Sequence, residues 1–484
     1  MFKVFINNFL GKTPRWYKLT ILSFLIINPI VFYCISPFVA GWMLLMQFIF
    51  TLALALKCYP VPSGGLLALQ AIIIGLTSPE QVYKEVLVNL PVILLLIFMV
   101  AGIYYLKDLI FLAFAKLFVT VRTKRALALT ICMTSAVMAA FLGALAVIVI
   151  IIAACFNFIA IYRRVALELE ETEEGRAELD EFFGFWRNIV MHGAVGTILG
   201  GMLTIVGEPQ NMMIATKVGW DFMDFLRHCF VVSVPVITAG FILCWLLETV
   251  KFPGFGYQLP ERAYKAIVKN YEAKFTELSQ QSVYTYMLQG IITILLFLAL
   301  VFYVAEAGLI GIALIVVISA FTGRTHEHDF VEAFNNAMPF VLLITVFFAI
   351  LAVVHDQHLV TPVVQMVFSF GGTAQLLALY FANGALSIVS DNVFIASVFI
   401  TEVEQAYAQG AFSSEWFAKL AVVVNMGTNV PAVGTPNGHA ALLLLLTSAL
   451  SPIIKLAYFE MVKLALPYTI VMTVTGAAAI FFFI

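Results

Sequence analysis

Charged residues are scarce in this 484-residue sequence: Asp, Glu, Lys and Arg together make up 11%, whereas 62% of the residues are hydrophobic. A soluble domain carries roughly 25% charged residues, because its surface has to be solvated by water. The shortage excludes an ordinary soluble protein and makes the lipid bilayer the solvent for most of the chain. The formal net charge of −2 gives no reason to expect a nucleic-acid partner.

Motifs for catalysis, redox chemistry and nucleotide binding are also missing. The six cysteines form no CxxC pair, so the sequence predicts neither a disulfide framework nor a cysteine metal site. A P-loop, an HExxH motif, a nucleophile elbow and a dinucleotide fingerprint are all absent, which argues against ATP-driven pumping. An intramembrane enzyme would need a pair of catalytic groups, but Asp391 is the only convincing deep acid. We therefore predict a protein that is not an enzyme and needs no cofactor.

Long apolar runs begin near Leu19 and recur to the C-terminus. A helix needs about 20 mostly apolar residues to cross a bilayer, and on that basis we expect about ten to thirteen crossings. Some runs are too short for one crossing and others, such as 126–162, are too long, which is typical of broken or re-entrant helices. The sequence predicts an all-α polytopic membrane protein.

Hydrophilic stretches divide the chain. Residues 1–18 carry four basic residues and no cleavage site, so we interpret them as a retained cytoplasmic leader. Residues 19–250 form a first transmembrane half, interrupted by an acidic loop at 163–187. Residues 251–282 form a hydrophilic connector, and residues 283–484 form the second transmembrane half.

Polar residues interrupt the apolar pattern of the second half at two places. The first is a Ser-Asp-Asn triplet, and the second combines Asn and Thr with helix-breaking Gly and Pro. Such residues are costly at membrane depth and indicate function, and the Gly and Pro residues indicate an unwound helix that lines a cavity. The candidate residues are Ser390, Asp391, Asn392, Thr428, Asn429, Thr435 and Asn437.

A similar break occurs in the first half. Residues 200–211 align with residues 427–438 without a gap, so that two glycines and one proline coincide. Paired broken segments in two halves are typical of a transport site at the interface of two repeats. This segment adds Glu208 and Asn211 as candidates. Glu208 either binds the ion or orients the backbone at the break.

Asp391 suits exchange because one carboxylate can bind either a cation or a proton. Burial disfavours its charged form, so Na⁺ and H⁺ would compete for it. Hard oxygen ligands suit Na⁺, and we expect the ion at Asp391, Asn392 and Asn429, with Ser390 as a further neutral ligand. The alternative is an Asp that only pins a helix. For transport we expect alternating access, in which a rigid element with the broken helices shifts against a scaffold.

Several motifs resemble the NhaB family of bacterial sodium–proton antiporters over nearly the whole chain. They include residues 35–42, 206–211 (Val-Gly-Glu-Pro-Gln-Asn), 390–394 (Ser-Asp-Asn-Val-Phe) and 435–438 (Thr-Pro-Asn-Gly). The resemblance implies an inner-membrane antiporter of the ion-transporter superfamily, with two repeats in inverted topology. It also implies a homodimer whose transported substrates are Na⁺ or Li⁺ and H⁺.

The chain departs from the family pattern in the first half. Where the family has an intramembrane Asp and, three residues later, a Thr, this sequence has Gly143 and Ala146. Gly143 is the repeat counterpart of Asp391 and cannot exchange a proton for a cation. Three alternatives follow: Asp391 suffices for exchange; the coupling is lost and the chain carries another solute, such as an organic anion; or the chain is inactive.

Overall fold

The chain is folded into α-helices, without a β-strand among the residues described, which confirms the predicted all-α membrane fold. The structure is a computed structural model. It describes residues 2–55, 57–166, 173–275, 279–302, 304–335, 338–390 and 392–484.

The helices of the first half and the connector run in the following order. They are α1 (Phe2–Asn8), α2 (Arg15–Cys34), α3 (Pro37–Ala53), α4 (Pro60–Ile74), α5 (Pro79–Val88), α6 (Leu90–Leu94), α7 (Val100–Tyr104), α8 (Lys107–Thr120), α9 (Lys124–Leu142), α10 (Ala144–Ala166), α11 (Glu173–Gly201), α12 (Pro209–Val218), α13 (Phe222–Val250) and α14 (Glu261–Phe275). A π-helical turn, Leu95–Met99, joins α6 to α7.

The second half contains the remaining helices. They are α15 (Gln280–Val301), α16 (Ala307–Thr322), α17 (Glu327–Asn335), α18 (Met338–Asp356), α19 (Thr361–Phe368), α20 (Gly372–Val389), α21 (Asn392–Ala408), α22 (Ser414–Asn429), α23 (Ala440–Thr447), α24 (Leu450–Ile453) and α25 (Tyr458–Phe483). A 3-10 turn, Pro431–Gly434, lies between α22 and α23.

Seven helices in the described part of the chain are long and apolar enough to cross a membrane: α2, α9, α10, α13, α15, α20 and α25. Two bent pairs, with angles of 62° and 61°, bring the count to nine if each pair is one broken span. Three further apolar helices, α3, α4 and α16, are shorter. The chain is therefore a multi-pass membrane protein with interrupted spans.

Helices α9 and α10 form a hairpin, here called hairpin 1, with its tip at Gly143. At the start of α9, Lys124 donates a hydrogen bond to Asn188 of α11 over 2.8 Å. Late in α10, Phe158 stacks on Trp186 of α11 with ring centroids 5.3 Å apart. The start of α9 and the end of α10 therefore lie side by side, and the apolar run 126–162 turns back on itself.

Close contact between α9 and α11 depends on Gly200. A Cβ atom at this position would fall 2.7 Å from the Cα of Ala136, and closer still to its carbonyl oxygen. We expect Gly200→Ala to destabilise the protein by roughly 1–3 kcal/mol, because the overpacked helices must separate. The measurement is the midpoint of thermal unfolding in detergent. Gly290→Ala is the matched control, since no atom lies within 4 Å of a Cβ there. Equal midpoints for both variants would contradict the packing.

Helices α20 and α21 form a second hairpin, here called hairpin 2. Asn383 of α20 donates to the carbonyl of Val424 late in α22 over 2.9 Å. At the other end, Tyr407 of α21 stacks on Phe417 near the start of α22, with centroids 4.5 Å apart. The tip therefore lies beside the end of α22, where Ser390 closes α20.

The two hairpins share the two broken helices. Helix α11 runs beside hairpin 1, whereas α12, beyond the break, packs against α21 of hairpin 2. Helix α22 runs beside hairpin 2, whereas α23 packs against α10 of hairpin 1. Each broken helix thus starts beside one hairpin and ends beside the other. The two broken helices therefore meet at the interface between the two repeats that the sequence predicts.

A buried ionic network holds the base of hairpin 1. The Nζ of Lys124 lies 2.8 Å from Oε2 of Glu248 in α13, and Nε2 of His192 in α11 lies 2.9 Å from Oε1 of the same carboxylate. The other ring nitrogen of His192 lies 2.8 Å from the hydroxyl of Tyr468 in α25. One carboxylate is thus shared by two basic side chains, and the network joins four helices.

Candidate functional site

The first broken helix is interrupted between Gly201 and Pro209, here called break 1. Pro209 is the first residue of α12, a position that suits a residue without an N–H donor. The side-chain amide of Asn211 donates to the carbonyls of Gly201 over 2.8 Å and Thr204 over 2.7 Å. Asn211 therefore closes the loop from within, and its nitrogen binds backbone.

The second broken helix is interrupted after Asn429, here called break 2. A 3-10 turn follows, and the backbone is extended at Thr435 before α23 begins. Thr428 is buried, and its hydroxyl bonds to the carbonyls of Val424 and Asn425 over 2.9 and 3.0 Å. Thr428 therefore lies beside break 2, but its hydroxyl hydrogen already donates to carbonyls of α22, the helix that contains it.

Asn429 joins the two breaks. Its side-chain nitrogen donates to Oδ1 of Asn425 over 2.8 Å and reaches Oδ1 of Asn211 over 3.3 Å. Its side-chain oxygen accepts from Nε2 of Gln210 over 2.8 Å. Asn425 in turn donates to the carbonyl of Met202 in break 1 over 3.1 Å. The candidates from the two halves are thus brought together by a buried amide network.

A buried acid–base pair also spans the two breaks. Oε1 of Glu208 in break 1 lies 3.3 Å from Nε2 of His439 in break 2, and both side chains are fully buried. The sequence analysis singled out Glu208 but not His439. Its signal was a titratable residue directly after the Gly438 that ends the second repeat segment.

The hairpin tips contact the breaks through backbone atoms. At hairpin 1, the N–H of Ala144 donates to the carbonyl of Gly207 over 2.9 Å. At hairpin 2, the hydroxyl of Thr435 donates to the carbonyl of Ile388. Each tip is therefore tied to the break of its own repeat, next to the junction that Asn429 makes.

The tip of hairpin 2 presents buried polar atoms. Asp391 lies outside the described residues, between Ser390 and Asn392, which are both buried. Neither amide atom of Asn392 has a hydrogen-bond partner in the described part of the chain, and the same holds for the hydroxyl of Ser387 and for Oδ1 of Asn437. Buried polar atoms without partners are costly, so they are candidates for contact with a polar ligand.

Gly143 has a backbone that favours glycine, with φ 83° and ψ 142°. A Cβ atom there would lie 3.1 Å from the carbonyl oxygen of Val206. Ala146 follows in α10 and lines a cavity of about 300 Å³ together with Lys107, Asp108 and Asn157. Neither position supplies a side-chain oxygen, so these two residues offer no side-chain ligand at the tip of hairpin 1.

Restoring an acid at the tip of hairpin 1 is expected to harm the protein. Gly143→Asp forces a side chain into a left-handed backbone, at a cost of about 1–3 kcal/mol, and sets a carboxylate near a carbonyl oxygen. We expect a lower thermal midpoint and slower Na⁺-driven proton movement than in the unmodified chain. Gly143→Ala is the control: it introduces the same backbone strain as Gly143→Asp but no carboxylate. Faster exchange by Gly143→Asp at an unchanged midpoint would contradict the expectation.

The whole chain is similar to one family of bacterial membrane proteins. The family described as Bacterial Na⁺/H⁺ antiporter B (NhaB) matches residues 1–484. A protein of Pectobacterium atrosepticum named Na⁺/H⁺ antiporter NhaB is 48% identical over 493 residues, covering 99% of this chain and 94% of its own length. A protein of the same name from Marinobacter nauticus is 48% identical over 488 residues, covering 98% and 97%. One from Shewanella denitrificans is 48% identical over 485 residues, covering 98% and 92%.

Proposed function

Because the chain belongs to the NhaB family of bacterial Na⁺/H⁺ antiporters, we propose that the junction of the two breaks with the hairpin tips is its transport site. The chain exchanges Na⁺ for H⁺ across a membrane. The observation that carries the assignment of the site is the buried amide network that joins Asn211 to Asn429. Irregular backbone with buried polar groups is tolerated at membrane depth where it serves a polar cargo.

Asp391 is the proposed shared carboxylate of this site. It follows Ser390 at the tip of hairpin 2 and precedes Asn392, whose amide has no partner among the described residues. The amide oxygen of Asn392 is therefore available to a cation, whereas that of Asn429 already accepts from Gln210. We assign Asn392 as a direct Na⁺ ligand and give Asn429 the additional role of holding the two breaks together.

A cavity with several charged lining residues supports access to the site from the base of hairpin 2. It has a volume of about 290 Å³ and is lined by charged side chains of both signs, among them Glu85, Glu402, Glu404, Lys84 and Lys217. Ser397 of α21 also lines it, five residues after Asn392, which is roughly 8 Å along a helix axis. In the proposed alternating-access cycle, the hairpins and broken helices move as one element and this cavity is the opening on one side.

We also propose the membrane location, the orientation of the N-terminus, the oligomeric state and a second transported cation. The basic residues of the leader support a cytoplasmic N-terminus in the bacterial inner membrane. The resemblance supports a homodimer, and Li⁺ as a second cation. Organic-anion transport is not favoured, because the relatives described above are all named Na⁺/H⁺ antiporters. We propose that exchange persists despite Gly143, with Asp391 as its coupling acid.

The test is proton movement in proteoliposomes that contain the purified chain. An imposed Na⁺ gradient is expected to drive H⁺ in the opposite direction, whereas an equal K⁺ gradient is not. Empty liposomes give the background leak. Proton movement at background level under a Na⁺ gradient, from a preparation that remains folded in detergent, would overturn the proposal. A response to an organic-anion gradient instead would identify the solute carrier that we consider disfavoured.

A further inference from the structure

His439 is held by contacts on both of its ring nitrogens. Its Nδ1 accepts a hydrogen bond from the N–H of Ala441 over 3.4 Å, so the imidazole caps α23. An acceptor nitrogen carries no hydrogen, and the ring proton of a neutral imidazole therefore resides on Nε2. That nitrogen lies 3.3 Å from Oε1 of Glu208. The cap thus places Nε2, which makes no hydrogen bond within the described part of the chain, beside the carboxylate of break 1.

Glu208 is turned towards the end of α11. It precedes α12, but its side chain does not cap that helix. A Cβ atom at Gly201 would fall 2.7 Å from Oε1 of Glu208, so the glycine leaves room for the carboxylate. A buried carboxylate is stable only where donors or positive charge compensate its lost hydration. Nε2 of His439, from the other repeat, lies 3.3 Å from Oε1 of this carboxylate.

The pair lies at the tip of hairpin 1, where the chain has no acidic side chain of its own. Ala144, next to Gly143, bonds to the carbonyl of Gly207, the residue that precedes Glu208. Among the residues that the structure describes, the Glu208 carboxylate is a negative charge at this end of the junction. The carboxylate faces His439 across the repeat interface and does not cap its own helix.

We propose that His439 is a positioning residue for Na⁺ binding: it holds the Glu208 carboxylate in the orientation that faces the transported cation. The inference rests on the proposed transport site and adds to it a residue that contacts no cargo. Positioning groups behind a ligand change affinity typically 10- to 100-fold when they are removed. The effect therefore falls on the Na⁺ concentration that gives half-maximal exchange, and much less on the maximal rate.

Two substitutions separate positioning from capping. Asn is a good helix cap, so His439→Asn keeps an acceptor for Ala441 but is too short to reach Glu208. We expect it to raise the half-maximal Na⁺ concentration about 10-fold or more. Gln carries its amide donor farther out, so His439→Gln is expected to recover part of that affinity. A merely structural role predicts the reverse order, because Gln is the poorer cap.

A double-mutant cycle with Glu208→Gln decides the matter. If His439 acts through Glu208, then His439→Asn adds nothing in the Glu208→Gln background. Effects that multiply in the double variant, or a native half-maximal Na⁺ concentration in His439→Asn, would overturn the inference. If the His439→Asn protein is not produced in folded form, the same cycle is measured with His439→Gln and the double variant His439→Gln/Glu208→Gln. Absence of Na⁺-driven proton movement by the unmodified chain in the same preparation would overturn the proposed function instead.

Discussion

Replacing Asp391 with Asn is expected to reduce Na⁺-driven proton movement to the background of empty liposomes. The carboxamide is close in size to the carboxylic acid, so the substitution removes the charge with little change in side-chain volume. It has neither a negative charge for Na⁺ nor a proton to release, and exchange through a single site requires both. The loss should be complete at every Na⁺ concentration, because the substitution removes the coupling itself rather than part of the affinity.

Asp356→Asn is the matched control for this substitution. Asp356 ends α18, is exposed and accepts a hydrogen bond from Thr77 over 2.7 Å. We expect near-native exchange from this variant, because an exposed acid at a helix end does not bind the cargo. Residual coupled exchange by Asp391→Asn would contradict the single-acid account and transfer the coupling role to Glu208.

Replacing Lys124 with Met is expected to destabilise the protein by about 3–5 kcal/mol, because it removes one partner of a buried ion pair. The side chains of Lys124 and Glu248 are only 4% and 0% exposed. His192 contacts the same carboxylate, and a protonated imidazole offsets part of the loss. The measurement is the fall in the thermal midpoint in detergent.

Lys217→Met supplies the contrast. Lys217 lies 2.7 Å from Glu404, but these side chains are 27% and 36% exposed. Water screens such a pair, and its removal costs roughly 0–1 kcal/mol. Combining Lys124→Met with Glu248→Gln should recover much of the stability, since no buried charge is then left without its counterion. Equal midpoints for Lys124→Met and Lys217→Met would contradict the buried network.

The repeat and its breaks could be read from the sequence. Matching Gly and Pro residues in 200–211 and 427–438 predicted two interrupted helices, and the structure places both interruptions face to face. The contact between Asn211 and Asn429 is an example of polar residues of the two breaks that lie together in the fold. Gly and Pro interrupt a helix locally, so the interruption can be predicted from the sequence. Polar side chains next to such an interruption are expected to contact other polar groups, because lipid offers them no hydrogen-bond partner.

The hairpin and the acid–base pair required three-dimensional information. The length of the run 126–162 predicted a broken or re-entrant segment, but the position of its turn at Gly143 became clear only from the backbone there. His439 was missed because its partner, Glu208, lies 231 positions earlier in the chain. The sequence also did not indicate that the hydroxyl of Thr428 would bond to its own helix. The partner of a buried polar side chain depends on residues that are distant in the sequence and become neighbours only in the folded protein.

Proton release on Na⁺ binding tests the central claim most directly. The purified chain in weakly buffered detergent solution is titrated with NaCl, and the protons released are followed with a pH indicator, with choline chloride as the salt control. If one carboxylate binds either Na⁺ or H⁺, Na⁺ should acidify the solution in a saturable way, and Asp391→Asn should abolish the signal. Saturable Na⁺ binding without proton release would contradict the account.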